Sequence, residues 1–262
     1  MDILIISGGI GFIFIMTCLG AATVFIFRKT ASGKFQQIFL GFAAGVMIAA
    51  SIWSLLIPAI EEAEAQGFIG WIPAACGFVL GVLFLLGMDH IIPHVHPSTN
   101  VREGVASASK RTTLLVSAVT LHNIPEGMAV GLAFALAAQH GGDPAMYAGA
   151  IALALGIGIQ NFPEGAAISL PLRQEGLPVG KAFGLGCLSG VVEPVFACLA
   201  ILLAPWIAPV MPWLLSFAAG AMIYVVIEEL IPEARLGEHS HAGTLGVMAG
   251  FLLMMILDVA LG

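Results

Sequence analysis

Runs of Val, Leu, Ile, Ala, Gly and Phe alternate along the chain with short polar connectors. Because a helix needs about 20 apolar residues to cross the hydrocarbon core of a bilayer, this pattern predicts eight membrane spans, at 3–27, 36–60, 68–92, 112–139, 146–171, 181–204, 208–232 and 243–261. No segment remains for a soluble domain, so residues 1–262 read as one all-α, polytopic transmembrane domain. The opening stretch MDILIISGG has no basic region ahead of its apolar run, and is expected to be a retained first span rather than a cleaved signal.

Composition agrees with the pattern. Of the 262 residues 59% are hydrophobic and 10% charged, which is too apolar for a water-soluble domain. The formal net charge of -7 matters less than where the charges fall. All nine basic residues (Arg28, Lys29, Lys34, Arg102, Lys110, Arg111, Arg173, Lys181 and Arg235) lie in connectors 1, 3, 5 and 7. The positive-inside rule therefore places both termini outside, as an even span count requires. The four cysteines lie singly in apolar runs with no C-x-x-C pair, which argues against a zinc knuckle or a disulfide framework.

Two segments repeat at a distance. FAAGVMI (42–48) in span 2 matches FAAGAMI (217–223) in span 7, followed by LLIP (55–58) and ELIP (229–232). GFVLGVLFLLGMD (77–89) in span 3 matches GVMAGFLLMMILD (246–258) in span 8, with both glycines and the final Asp in register. Spans 2 and 7 run in opposite directions, so spans 1–3 and 6–8 are expected to form an inverted repeat, a signature of secondary transporters. Spans 4 and 5 then stand between them, giving a 3+2+3 order.

Those two middle spans carry LHNIPEG (121–127) and IQNFPEG (159–165), each with a Pro and an ionisable Glu inside an apolar run. Residues four apart share a helix face, so His122 projects with Glu126 and Gln160 with Glu164. A turn centred on Asp143 sets Glu126 level with Gln160 and His122 level with Glu164; moving the centre by two residues changes that register. Asn123, Asn161 and, from span 6, Glu193 add further polar groups near this depth. Pro125 and Pro163 withdraw an N–H each and are expected to open the backbone there. A carboxylate at the bilayer centre costs about 2.5–3.5 kcal/mol, so three of them call for a cation. Imidazole with carboxylates and no thiolate suits zinc and neighbouring divalent metals. A buried packing pair and a proton relay are the competing readings of the same residues.

Paired x-N-x-P-E-G motifs on consecutive spans, eight spans and a His-bearing third connector resemble the ZIP (Zrt- and Irt-like) metal transporters, in particular the GufA-like branch. The resemblance covers essentially the whole chain. It implies a metal site between spans 4 and 5 and movement of a divalent metal, typically zinc, into the cytoplasm by an elevator-like motion. Carried onto matching positions, it implies a primary site of His122, Glu126, Gln160 and Glu164, with Met47 as a soft ligand. An adjacent second site would comprise Asn123, Asn161 and Glu193, sharing Glu126 and Glu164. Some relatives carry Asp where this chain has Asn161, which puts full occupancy of the second site in question.

Around this centre, Glu61 and Asp258 are expected at an outer entrance, and Asp89, His94, His96 and Glu229 at an inner exit. The expected partners are divalent metal ions (Zn2+, with Cd2+, Fe2+ and Mn2+ as other candidates) and the lipid bilayer, without a resident cofactor or nucleic acid and with room for a homodimer. The bacterial inner membrane is the expected location. An intramembrane metalloenzyme is the alternative class, but the H-E-x-x-H signature of a metalloprotease does not occur in the chain. A proton-coupled carrier of another cation is the other alternative.

Overall fold

The computed structural model describes residues 2–26, 33–91, 94–95, 102–103, 111–141, 143–174, 176–234 and 241–261. Helices dominate: α1 (Asp2–Ala22), α2 (Gly33–Ala50), α3 (Ile57–Ala65), α4 (Trp71–Ile91), α5 (Arg111–Gln139), α6 (Pro144–Gln174), α7 (Val179–Gly190), α8 (Val192–Ile207), α9 (Met211–Val225), α10 (Ile231–Ala234) and α11 (Ala242–Leu261). The third connector contributes a two-residue antiparallel pair, His94–Val95 against Arg102–Glu103. Among the described residues, six stretches are long and apolar enough to cross a membrane; one of them, Val179–Leu230, extends over 52 residues and takes in α7, α8 and α9. Large apolar side chains such as Leu83, Leu188, Leu202, Trp206 and Leu252 stand on the outside of the bundle, as a lipid environment demands.

Proline shapes the helices differently from place to place. Span 6 breaks at Val191 into α7 and α8, one turn before Pro194, whose ring clashes with the carbonyl four residues back. Spans 2 and 7 each widen into a π-helical turn, Ser51–Leu56 and Val226–Leu230, just ahead of Pro58 and Pro232. At Pro125 and Pro163 the expectation of an opened backbone is not met: α5 and α6 remain α-helical through both. The lost hydrogen bond is absorbed inside a continuous helix, as neighbouring helices permit at depth.

Glycines set how the helices touch. A Cβ at Gly45 would strike the carbonyl of Val247 and one at Gly250 that of Phe42, so α2 and α11 meet backbone to backbone. A Cβ at Gly220 would strike the carbonyl of Phe78 and one at Gly81 that of Phe217, in the same way, between α4 and α9. The two sets correspond residue for residue: Phe42 with Phe217 and Gly45 with Gly220, Phe78 with Val247 and Gly81 with Gly250. The π-helical turns begin at the corresponding positions Ser51 and Val226. The likeness seen between the two segments is thus a likeness of packing and not of Gly/Ala composition alone.

The helices sort into two packed groups. In one, α1 lies along α6 and α5 along α8, with α7 against α1 and α6. In the other, α2 lies along α11 and α4 along α9, with α3 against α9. Between the groups, α5 meets α9 while α6 meets α2 and α11.

Candidate metal centre

LHNIPEG and IQNFPEG sit at the middle of α5 and α6 and face other helices. The reason is the last residue of each motif. A Cβ at Gly127 would collide with the carbonyl of Glu193 on α8, and one at Gly165 with the carbonyl of Thr17 on α1. Each motif therefore carries its Glu one residue from a point where two helix backbones touch. The asparagines confirm the correspondence: Asn123 Nδ2 donates to the carbonyl of Ser189 at 3.2 Å, and Asn161 Nδ2 donates to that of Ile13 at 3.3 Å. Ser189 precedes Glu193 by four residues, as Ile13 precedes Thr17.

Between α5 and α6, Gln160 Nε2 donates to Glu126 Oε1 at 2.6 Å, joining the two motifs. In the connection between α5 and α6, Gly141 has φ 72°, a conformation that favours glycine. Glu193 accepts from Asn161 Nδ2 at 2.6 Å and from Thr17 Oγ1 at 3.2 Å. Glu126 on α5, Glu164 on α6 and Glu193 on α8 are thus joined to one another's helices through Gln160 and Asn161. All three are buried, as are Asn123, Gln160 and Asn161.

The polar atoms left over at this centre are acceptors. Among the described residues, Asn123 Oδ1, Glu126 Oε2, Gln160 Oε1 and Asn161 Oδ1 are buried without a hydrogen-bond partner, whereas each of the three amide nitrogens donates to a protein acceptor. Bare buried oxygens are costly, and a cation is the group that would satisfy them together. Among the described residues no three His, Cys, Asp or Glu side chains are gathered so as to hold a metal by themselves; the side chain of His122 lies outside the described residues. Met47 is fully buried in α2. A donor set built here draws on amide oxygens as well as carboxylates.

A cavity of about 560 Å³ opens where α3, the end of α5, the start of α6 and the end of α11 come together. Glu61 and Asp258 both line it, as do Glu62, His140 and Ser54. Asp258 accepts from Ser54 Oγ at 2.5 Å, and its other oxygen has no partner. His140 Nε2 lies 3.2 Å from Glu62 Oε2, linking the α5–α6 turn to α3 and thereby one helix group to the other. On the way to the polar centre Ala129, Val130, Leu153 and Ile157 are buried, so apolar turns separate the cavity from Glu126 and Gln160. Neither His140 nor Ser54 was singled out by the motifs; each is recognisable only by its place in the cavity.

Of the residues expected at the opposite end, Glu229 is half-buried in the π-helical turn Val226–Leu230. Asp89 ends α4 and His94 lies in the short β pair, with side chains outside the described residues; His96 is itself outside them. Glu229 and Asp89 occupy the repeat positions of Ser54 and Asp258. The hydrogen-bonded pair Ser54 and Asp258 thus has its sequence counterpart in Glu229 and Asp89.

Comparison with known proteins adds to this geometry. A family model described as ZIP Zinc transporter matches residues 98–258. The chain is 36% identical to the zinc transporter ZIP11 of Homo sapiens, with 94% of each chain covered. It is 39% identical to the zinc transporter GufA of Myxococcus xanthus, again over 94% of each. It is 41% identical to the zinc transporter ZIPB of Bordetella bronchiseptica, over 98% of this chain and 81% of the relative.

Proposed function

The chain belongs to the ZIP zinc transporter family, and from that premise we propose that it carries a divalent transition metal, zinc foremost, into the cytoplasm through the polar centre of α5 and α6. The observation that carries this reading is the set of acceptor oxygens on Asn123, Glu126, Gln160 and Asn161 that are buried without a partner among the described residues. Zinc, as cargo, would be held by Glu126, Gln160 and Glu164 with His122, and Met47 would approach as a soft ligand. Cadmium, iron and manganese divalent ions share the required charge and size class.

The same reading has eight spans in a 3+2+3 order, spans 1–3 and 6–8 forming an inverted repeat, with both termini outside a bacterial inner membrane. The constant register of the glycine contacts supports the repeat. Metal enters by the cavity of Glu61 and Asp258 and leaves past Asp89, His94, His96 and Glu229. Every side-chain hydrogen bond described above for the polar centre joins residues of the α1, α5, α6, α7 and α8 group. That group would carry the ion as a unit against the other, sliding on interfaces of small and apolar side chains, which is an elevator-type alternating access.

Reconstituted vesicles test the proposal directly. Zinc uptake is expected in vesicles holding the protein, and Glu126→Ala or Glu164→Ala is expected to abolish it at unchanged expression. Undiminished uptake in both variants would sink the proposed site. Competition among zinc, cadmium, iron and manganese ranks the cargo.

A further inference from the structure

Where α3 meets the connection between α5 and α6, Glu62 and His140 face each other, with Nε2 of the ring 3.2 Å from Oε2 of the carboxylate. Each is held from behind by its other polar atom. His140 Nδ1 lies 3.1 Å from the carbonyl of Leu136, and Glu62 Oε1 accepts from Gln66 Nε2 at 2.8 Å. Gln66 is fixed in turn, since the same nitrogen donates to the carbonyl of Ala208 at 3.0 Å.

These bonds settle what the facing atoms are. A carbonyl only accepts, so the ring proton that reaches Leu136 is on Nδ1, and the neutral ring then turns the lone pair of Nε2 toward a carboxylate oxygen. Two acceptors this close need a cation between them, either a second ring proton or a metal ion. The spacing suits a metal, because ligand atoms about 2.1 Å from a tetrahedral zinc stand about 3.4 Å apart. The supports suit one as well: ligating imidazoles donate their other N–H to a carbonyl or carboxylate, and ligating carboxylates are themselves hydrogen-bonded.

The surroundings attract cations. Glu62 and His140 line the cavity of about 560 Å³ together with Glu61 and Asp258, and among the described residues no Lys or Arg lines it. One oxygen of Asp258 is buried there without a partner. The His140 side chain is 37% exposed, so an ion reaches it from solvent. Buried apolar turns at Ala129, Val130, Leu153 and Ile157 separate this place from Glu126 and Gln160.

We infer that Glu62 Oε2 and His140 Nε2 form a metal site of their own, distinct from the polar centre, which takes one divalent cation of the zinc class with water completing its shell. Imidazole beside carboxylate, without thiolate, selects zinc, cobalt or nickel over magnesium and calcium, which prefer oxygen alone. The two ligands come from different helix groups, so the bound ion fastens α3 to the end of α5. The site stands on these two side chains and not on the reading of the polar centre.

The test uses Zn2+ alone. Equilibrium dialysis of the purified, metal-stripped full-length protein in detergent counts ions per chain in wild type, Glu62→Gln and His140→Ala, and again with each change placed in the Glu126→Ala/Glu164→Ala double variant. Removal of either ligand is expected to cost one ion in both backgrounds, and an excess of Mg2+ is expected not to displace that ion. An unchanged count in either variant would overturn the site, as would displacement by Mg2+. His140→Gln repeats the measurement if His140→Ala does not fold. Should the double variant by itself lose no ion while Glu62→Gln and His140→Ala each lose one, the polar centre fails as a metal site and this one stands.

Discussion

On α5 the amide of Asn123 gives one hydrogen bond, to the carbonyl of Ser189; on α6 the amide of Asn161 gives the matching bond to Ile13 and a second, shorter one to Glu193. The two motifs are otherwise alike, each with a Pro inside a continuous helix and a Gly pressed on a neighbouring backbone. A duplicated scaffold has thus acquired different electrostatics in its two halves. The difference comes from outside the motifs, from a Glu at 193 where the corresponding position carries Thr17. Shared packing positions both motifs; the unshared pair decides which carboxylate Asn161 reaches.

The largest effect should come from what the motifs share. Gly127→Val and Gly165→Val each drive a branched side chain into a carbonyl, and overpacking of this kind costs about 1–3 kcal/mol or more where backbone must yield. Both variants are expected to lose the monodisperse peak on size-exclusion chromatography in detergent. Tolerance of one but not the other would break the equivalence of the two seams.

Next come the asparagines, where the halves should separate. An acceptor left bare in the interior costs about 1–3 kcal/mol. Asn161→Leu strips a carboxylate oxygen, Glu193 Oε2, while the Ile13 carbonyl keeps the Thr17 hydroxyl; Asn123→Leu strips only the Ser189 carbonyl, so the first should lower the thermal midpoint further. Equal shifts would remove the asymmetry on which the comparison rests. Thr17→Val, which keeps the side-chain volume but loses the hydroxyl, should cost about 1 kcal/mol, and Thr17→Ser should restore it; thermal unfolding of both variants measures this.

The smallest effect is expected at the outer end. His140 and Glu62 form a partly exposed pair, and such pairs contribute about 0–1 kcal/mol. His140→Ala should leave the unfolding midpoint nearly unchanged, and a large drop would mean that the link between the helix groups carries more of the fold than the polar centre does.

Much was legible before any coordinates. Apolar run length set the helices, and FAAGVMI with FAAGAMI marked two segments that make matching glycine contacts, because helix contacts through Gly leave a trace at every fourth residue. A turn centred on Asp143 pairs Glu126 with Gln160, and their side chains do meet, although α5 ends at Gln139 and α6 resumes at Pro144. Other features left no such trace. Thr17 is a common residue in an apolar run, and Gly127 and Gly165 look like the rest of 32 glycines. The prolines pointed to an opened backbone because their effect was judged one helix at a time. The surrounding bundle supports continuous helices at Pro125 and Pro163 and wider turns before Pro58 and Pro232.

The sequence by itself determined that this is a membrane-embedded helical protein with carboxylates and amides repeated at one depth, since hydropathy and helical period are local properties of a chain. Only the tertiary structure decided which of those groups satisfy each other. A hydrogen bond depends on distances of a few tenths of an ångström between helices far apart in the chain, and Thr17 meets Glu193 across 176 residues. That meeting, which neither motif announces, ties α1 to α8 beside the polar centre.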